Sequence, residues 1–184
     1  MPHDGHKLVK AREYKFCPWC GKTLITSQTD GRQRLRCPNC DFIWYHNPIP
    51  AAGAIIEKDG KILLVKRKFP PRVGDWCFPA GFMEYEESPV ECCIREIKEE
   101  TGLDINISRM FWNYAGHDDP RSHAMLALYL AEVTGGNLVA GDDAIEVEYF
   151  DIFHTPENIA FQAHKEAIDD YCRYKETGIF PGQK

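Results

Sequence analysis

Apolar runs and polar breaks divide the chain into short β-type stretches, one sharply bounded helix and an amphipathic C-terminal helix. "IPAAGAIIEKDGKILLVKRK" (49–68) holds two apolar, β-branched runs around Lys58-Asp59-Gly60, the pattern of a hairpin. Further strands are predicted over 105–115, 123–134 and 145–151. In "ENIAFQAHKEAIDDYCRY" (157–174), Ile159, Ala160, Ala163, Ala167, Ile168 and Tyr171 recur at helical spacing. No internal repeat or low-complexity tract is present.

Between the strands at 61–68 and 105–115 lies "GDWCFPAGFMEYEESPVECCIREIKEETGLD". Ser88 suits an N-cap, Pro89 the first turn, and Glu91 completes a capping box. Gly102 supplies the left-handed stop, so the helix is predicted to run from Pro89 to Thr101. Val90, Cys93, Ile94 and Ile97 are expected to share its buried face. Glu96, Glu99 and Glu100 stand at i, i+3 and i+4 and share another. Like charges at that spacing weaken a helix by about a few tenths of a kcal/mol per pair. A solvated face would interleave lysines, and only Lys98 is there. Three clustered carboxylates are what a hard divalent cation such as Mg²⁺ needs when it is shared with substrate phosphates.

The first 46 residues carry different chemistry. "FCPWCGK" and "LRCPNCDF" place Cys17, Cys20, Cys37 and Cys40 in two CxxC pairs with sixteen residues between them. This spacing fits a closed four-cysteine Zn²⁺ site of structural kind, with a redox pair as the rival reading. Between the pairs, Asp30-Gly31 marks a hairpin. The stretch reads as a zinc ribbon too small for a core of its own. It ends near "WYHNPIP", giving a ribbon over 1–47, with 1–14 a flexible tail, and a second domain over 48–184.

Composition adds limits. The chain has 184 residues, a net charge of −6 and 43% hydrophobic residues, as in a soluble globular protein. No apolar run is long enough to span a membrane. The N-terminus lacks a signal-peptide core, so a cytoplasmic location is the simplest expectation. Residues 1–46 hold eight Lys/Arg against four Asp/Glu, a surplus of four positive charges, which leaves the remainder at −10. A basic head on an acidic body suggests two units; the head either touches nucleic acid or a nucleotide tail, or is a solvated surface. Cys77, Cys92, Cys93 and Cys172 read as buried thiols.

Gly81, Glu87, Arg95-Glu96-Ile97, Glu99-Glu100 and Gly102-Leu103 fill every fixed position of GX5EX7REUXEEXGU, where U is aliphatic. In this the chain resembles the Nudix hydrolases. The resemblance covers about 49–175 and implies an α/β fold, an α/β/α sandwich with a mixed sheet, that hydrolyses a nucleoside diphosphate linked to another moiety. It implies Mg²⁺ or Mn²⁺ held by Glu96, Glu99 and Glu100, with Glu87 in support. Glu96, Glu99 and Arg95 form the implied catalytic set, Arg95 pairing with a box glutamate, and Gly81 permits the turn. The general base is left between Glu96 and a glutamate at 146 or 148, with Glu146 the tentative choice. Arg67, Arg72 and Arg121 are candidates for phosphate contacts, and Trp76, Phe82, Trp112 and Tyr114 for base stacking.

A zinc ribbon followed by "NP" and the box is similar to a narrower group of NADH, ADP-ribose and FAD pyrophosphatases. Ala80 stands where many members have glycine. "NYAGHDDPRSHAM" stands where NADH pyrophosphatases carry "SQPW", which favours ADP-ribose or FAD. The resemblance also implies a possible homodimer. NADH hydrolysis, RNA cap removal, nucleoside triphosphate hydrolysis and a nucleotide-sensing module are the alternatives.

Overall fold

The computed structural model describes residues 13–119, 121–141 and 143–183, so most of the expected 1–14 tail lies outside the described residues. The ribbon comprises β1 (Ile25–Thr29), β2 (Arg32–Arg36) and β3 (Ile43–Trp44) in an antiparallel sheet. Asp30 and Gly31 both take positive φ, 51° and 75°, the geometry a two-residue I′ hairpin turn demands. Among its described residues only Cys17, Leu24 and Cys37 are buried, with Leu35, Cys40 and Phe42 packed on them.

The body is built on β4 (Ile49–Lys58), β5 (Lys61–Arg67), β6 (Trp76–Cys77), β7 (Ala80–Phe82), β8 (Leu103–Gly116), β9 (Ala124–Gly136) and β10 (Ala144–Asp151). The path through the sheet is β10-β5-β4-β9-β8, with β6 on β5 and β7 on β4. β4 and β9 run parallel and the other pairs are antiparallel, so the sheet is mixed. Asp59 and Gly60 repeat the positive-φ turn between β4 and β5.

Strand alternation sorts the core into two layers. Ala51, Ile55, Ile62 and Leu64 face one way and pack with Ala163, Ala167, Ile168 and Tyr171 of α2 (Gln162–Thr177). Ala52, Ala54, Ile56 and Leu63 face the other way and pack with Cys92, Cys93 and Ile97 of α1 (Pro89–Thr101). A helix therefore covers each face, which is the sandwich expected. Among the described residues no helix is long and apolar enough to cross a membrane.

Helix α1 begins and ends where its caps predict. Ser88 accepts from the Glu91 N–H, the Glu91 side chain accepts from the Ser88 N–H, and Gly102 sits left-handed at φ 72°. Its buried face differs from the expected one. Val90 and Ile94 are 39% and 41% exposed, while Cys92, Cys93, Ile97 and Thr101 are buried. The stripe that meets β4 and β8 runs 93-97-101; Ile94 lies about 100° around the helix from Cys93, and Val90, on the stripe's own side, sits in the first turn. α2 also starts later than its apolar spacing suggests. Ile159 and Ala160 are buried ahead of it because that segment bonds to Trp76, through Trp76 N–H to Asn158 O and Ala160 N–H to Trp76 O.

Candidate active site and metal centre

The shift of the buried stripe decides where the glutamates go. Glu96 and Glu100 stand on its flank and line a cleft of about 390 Å³. Glu99 does not line it, its side chain being 60% exposed. The Glu100 carboxylate is almost enclosed and accepts from the Ala80 N–H at 3.0 Å. Burial, with the Glu96 charge beside it, pushes its pKa up to about 8. Burial also raises Glu96. Glu100 has no ion pair among the described residues, and a hard divalent cation beside it and Glu96 fits this state.

Arg95 holds the acidic residues in register. Nε and NH2 take both oxygens of Glu87 at 3.0 and 2.5 Å, and NH1 reaches Glu96 at 2.7 Å and Glu99 at 3.1 Å. NH2 also donates to the Phe82 carbonyl at 3.2 Å, tying the fork to the β7–α1 connection. The bidentate bond from Arg95, with the Glu84 N–H, pulls Glu87 down to about 2. Glu87 is thus an ionised strut that points Arg95 at the other two carboxylates.

Gly81 is required by contact. A Cβ at this position would stand 2.1 Å from the Glu96 carboxyl carbon, so a side chain here would push that carboxylate out of its place above β7. Gly53 does the same for the Pro79-Ala80 segment, where an added Cβ would meet the Pro79 carbonyl oxygen at 2.4 Å.

Cations and rings complete the lining. Arg67 and Arg121 line the cleft, as do Phe69, Phe82, Phe161 and His164. Arg67 donates to the carbonyls of Pro71 (3.0 Å) and Phe69 (3.4 Å), and its guanidinium lies 5.0 Å from the Phe161 ring centre. Arg121 is clasped by Asp119 and donates to the Pro70 carbonyl at 3.2 Å, joining the 117–123 loop to the 68–75 loop. Asp118 of the first loop accepts from the Gln162 N–H at 3.0 Å and so caps α2 from outside, since Phe161 offers no side-chain cap. Arg72 stands 3.7 Å from Asp118 and does not line the cleft.

Among the proposed stacking residues only Phe82 lines the cleft; Trp76 and Tyr114 are buried in the α2-side core and Trp112 lies outside the cleft. Glu146 pairs with Lys66 at 3.2 Å on β10 and lies outside the cleft, as does Glu148, whereas Asp143 lines it. Phe69, Phe161, His164, Asp118 and Asp119 escaped the sequence reading. The acidic and basic residues of "GHDDPRSH" were the one available signal.

In the ribbon, the Sγ atoms of Cys17, Cys20, Cys37 and Cys40 all lie within 4.8 Å of one another, the one such ligand cluster among the described residues. Three Sγ separations are 3.4, 3.6 and 3.7 Å. A tetrahedron with Zn–S of about 2.3 Å has edges of roughly 3.8 Å, so the four thiols fit zinc with all positions filled. Hydrogen bonding, chiefly from the Lys22 backbone, brings Cys20 down to about 7, toward the thiolate a metal binds.

A mixed sheet between two helices, with a carboxylate-bearing helix opening on an enclosed cleft, is the arrangement of a Nudix-type hydrolase. The chain belongs to the NUDIX family. The NUDIX domain matches residues 47–173 and the Nudix N-terminal module residues 15–46. An ADP-ribose pyrophosphatase from Methanocaldococcus jannaschii is 46% identical over 132 residues, covering 71% of this chain and 77% of the relative. An NAD-capped RNA hydrolase NudC from Pseudomonas fluorescens is 32% identical over 151 residues, 79% of this chain and 51% of NudC. The chain thus spans about half the length of that relative. A NUDIX hydrolase structure from Nitrosomonas europaea superposes with a TM-score of 0.77 at 31% identity, covering 90% of this chain and 94% of the other.

Proposed function

We propose that the protein hydrolyses the pyrophosphate of a nucleoside diphosphate-linked metabolite, ADP-ribose or FAD, to two monophosphates with Mg²⁺ or Mn²⁺. The observation that carries this reading is the cleft itself: Glu96 and Glu100 on one side, Arg67 and Arg121 among its other lining residues. The similarity to an ADP-ribose pyrophosphatase supports the substrate. Glu96, Glu99 and Glu100 would hold the metal, which when bound supplies charge neutralisation and acidifies a water. Arg95 keeps those carboxylates in register, and Arg67 and Arg121 receive phosphate oxygens. Glu96 is our base: its carboxylate takes the proton of the attacking water as the P–O anhydride bond breaks and the bridging oxygen leaves with the second phosphate. Glu146, committed to Lys66, would have to break that pair to act.

Chromatography of products from ADP-ribose, FAD, NADH and a nucleoside triphosphate tests the proposal. AMP with ribose 5-phosphate, or AMP with FMN, supports it; release of inorganic pyrophosphate from the triphosphate alone refutes it.

A second reading is removal of a nucleotide cap from RNA. Arg32, Arg34 and Arg36 alternate along β2 on the face opposite Leu35, which packs into the ribbon core. The similarity to NudC points the same way. Retention of capped-oligonucleotide binding independent of salt would count against it. We further propose that 1–47 and 48–184 act as separate units in a cytoplasmic protein, where the eight free cysteines would stay reduced. A homodimer would cover exposed Phe16 and Trp19 of the ribbon, and light scattering reads it directly.

A further inference from the structure

His164 is buried in the first turn of α2 and lines the cleft, yet nothing in the hydrolytic scheme employs it. Its Nδ1 accepts from the Phe78 backbone N–H at 3.1 Å. That bond fixes the tautomer, because a neutral imidazole with Nδ1 as acceptor carries its proton on Nε2. The ring is held between Phe78, with centres 6.0 Å apart, and Phe161 at 5.8 Å. Burial, and secondarily the Arg67 charge, push its pKa down to about 3, so the imidazole is uncharged over the physiological range.

We propose that the Nε2–H of His164 is a fixed, neutral hydrogen-bond donor that reads an uncharged acceptor, a ring nitrogen or hydroxyl oxygen, on the nucleoside half of the substrate. The proposal rests on the pyrophosphohydrolase reading. Two features separate it from a purely structural role. The Phe78 N–H needs only an acceptor, which a side chain without a second polar group would provide, whereas imidazole also brings a donor to a cleft surface. The surroundings then select the class of partner. Pyrophosphate oxygens carry full charge, and the guanidiniums of Arg67 and Arg121 line the same cleft for them. A neutral donor flanked by two aromatic rings, in a cleft also lined by Ala163 and Leu126, matches an acceptor on a planar or sugar body. Leaving such a donor unpaired in the complex is costly, so a nucleoside lacking the acceptor is rejected.

The test uses intact protein and calorimetric binding of AMP, of ribose 5-phosphate, and of AMP analogues. In the analogues one purine nitrogen is replaced by carbon or one ribose hydroxyl by hydrogen. One analogue should bind the unaltered protein about tenfold more weakly than AMP. In His164→Asn, whose amide oxygen can still accept from Phe78, AMP should weaken by the same factor and that analogue should show no further loss. Ribose 5-phosphate binding should stay within about twofold. The proposal is overturned if every analogue binds the unaltered protein as AMP does. It is also overturned if the variant loses ribose 5-phosphate equally, or if the analogue penalty persists in the variant. Because the analogue series on unaltered protein needs no variant to fold and no turnover, failure to hydrolyse ADP-ribose or FAD would sink the activity reading separately.

Discussion

The Ala80 backbone N–H lies 3.0 Å from the Glu100 carboxylate, the sole hydrogen bond to this mostly buried acid among the described residues. One neutral donor does not offset the burial, which is why Glu100 holds its proton up to about 8. The metal-free protein is thus a proton-loaded form of the site.

Stability should therefore respond to pH in two opposed windows. Glu100 binds its proton more tightly folded than unfolded, so the metal-free protein loses stability as pH rises from about 4.5 to about 8, on the order of a few kcal/mol. His164 has the opposite sign: its neutral form is favoured by folding, and stability is lost as pH falls from 6.5 toward about 3. Thermal melts without metal should peak between the two, and Mg²⁺ should restore the melting temperature at pH 8. In Glu100→Gln the alkaline slope should vanish; a slope equal to that of the unaltered protein would show that another group causes it.

Arg95→Lys keeps the charge and loses the fork. A single ammonium cannot serve Glu87, Glu96 and Glu99 together. Apparent metal affinity, read by activity against Mn²⁺ concentration, should weaken by roughly 10 to 100-fold, the usual effect of removing a group that orients ligands. Unchanged metal dependence would mean the carboxylates hold their places without it.

Gly81→Ala should damage turnover more than folding. The added methyl would overlap the Glu96 carboxylate, which would swing away from Arg95 and out of the cleft. We expect kcat/KM to fall by about 100-fold, as misplacement of a reacting group by about 1 Å does, with near-native circular dichroism. Full activity in the variant is the contrary result.

The ribbon should depend on zinc. With three buried residues among those described, two of them cysteines of the cluster, it has little core to replace the metal. Metal analysis should find one zinc per chain, and Cys37→Ala should abolish it. Chelation should shift the fluorescence of Trp19 and Trp44, which pack on Phe42 and His46. A spectrum unmoved after verified zinc loss would refute the dependence.

The elements legible in the sequence were those fixed by local chemistry. Ser88, Glu91 and Gly102 bound α1 to the residue, and two Asp-Gly pairs located both hairpin turns. How much of the apolar side of α1 is buried was not legible, because Val90, Cys93, Ile94 and Ile97 stand close around the helix and apolar spacing alone does not show which of them the sheet covers. Packing on β4 and β8 made the choice, and with it separated Glu96 and Glu100 from Glu99. The rest of the lining was hidden for another reason. Phe69, Asp118, Phe161 and His164 come from segments far apart in the chain, and only the completed sheet brings them together.

The parallel pairing of β4 with β9 joins Ile49 to Ala124 and Ile56 to Ala131. Every residue of the acidic helix lies inside the loop that this pairing closes. On a ribosome, α1 would emerge and coil early, but its two buried flanks would find no sheet until β9 had followed it out. Such non-local closure is slow. Premature termination before β9 should therefore leave a helical, acidic nascent chain that binds metal weakly and cannot bury Glu100, while the zinc ribbon, complete by residue 46, has already folded ahead of it.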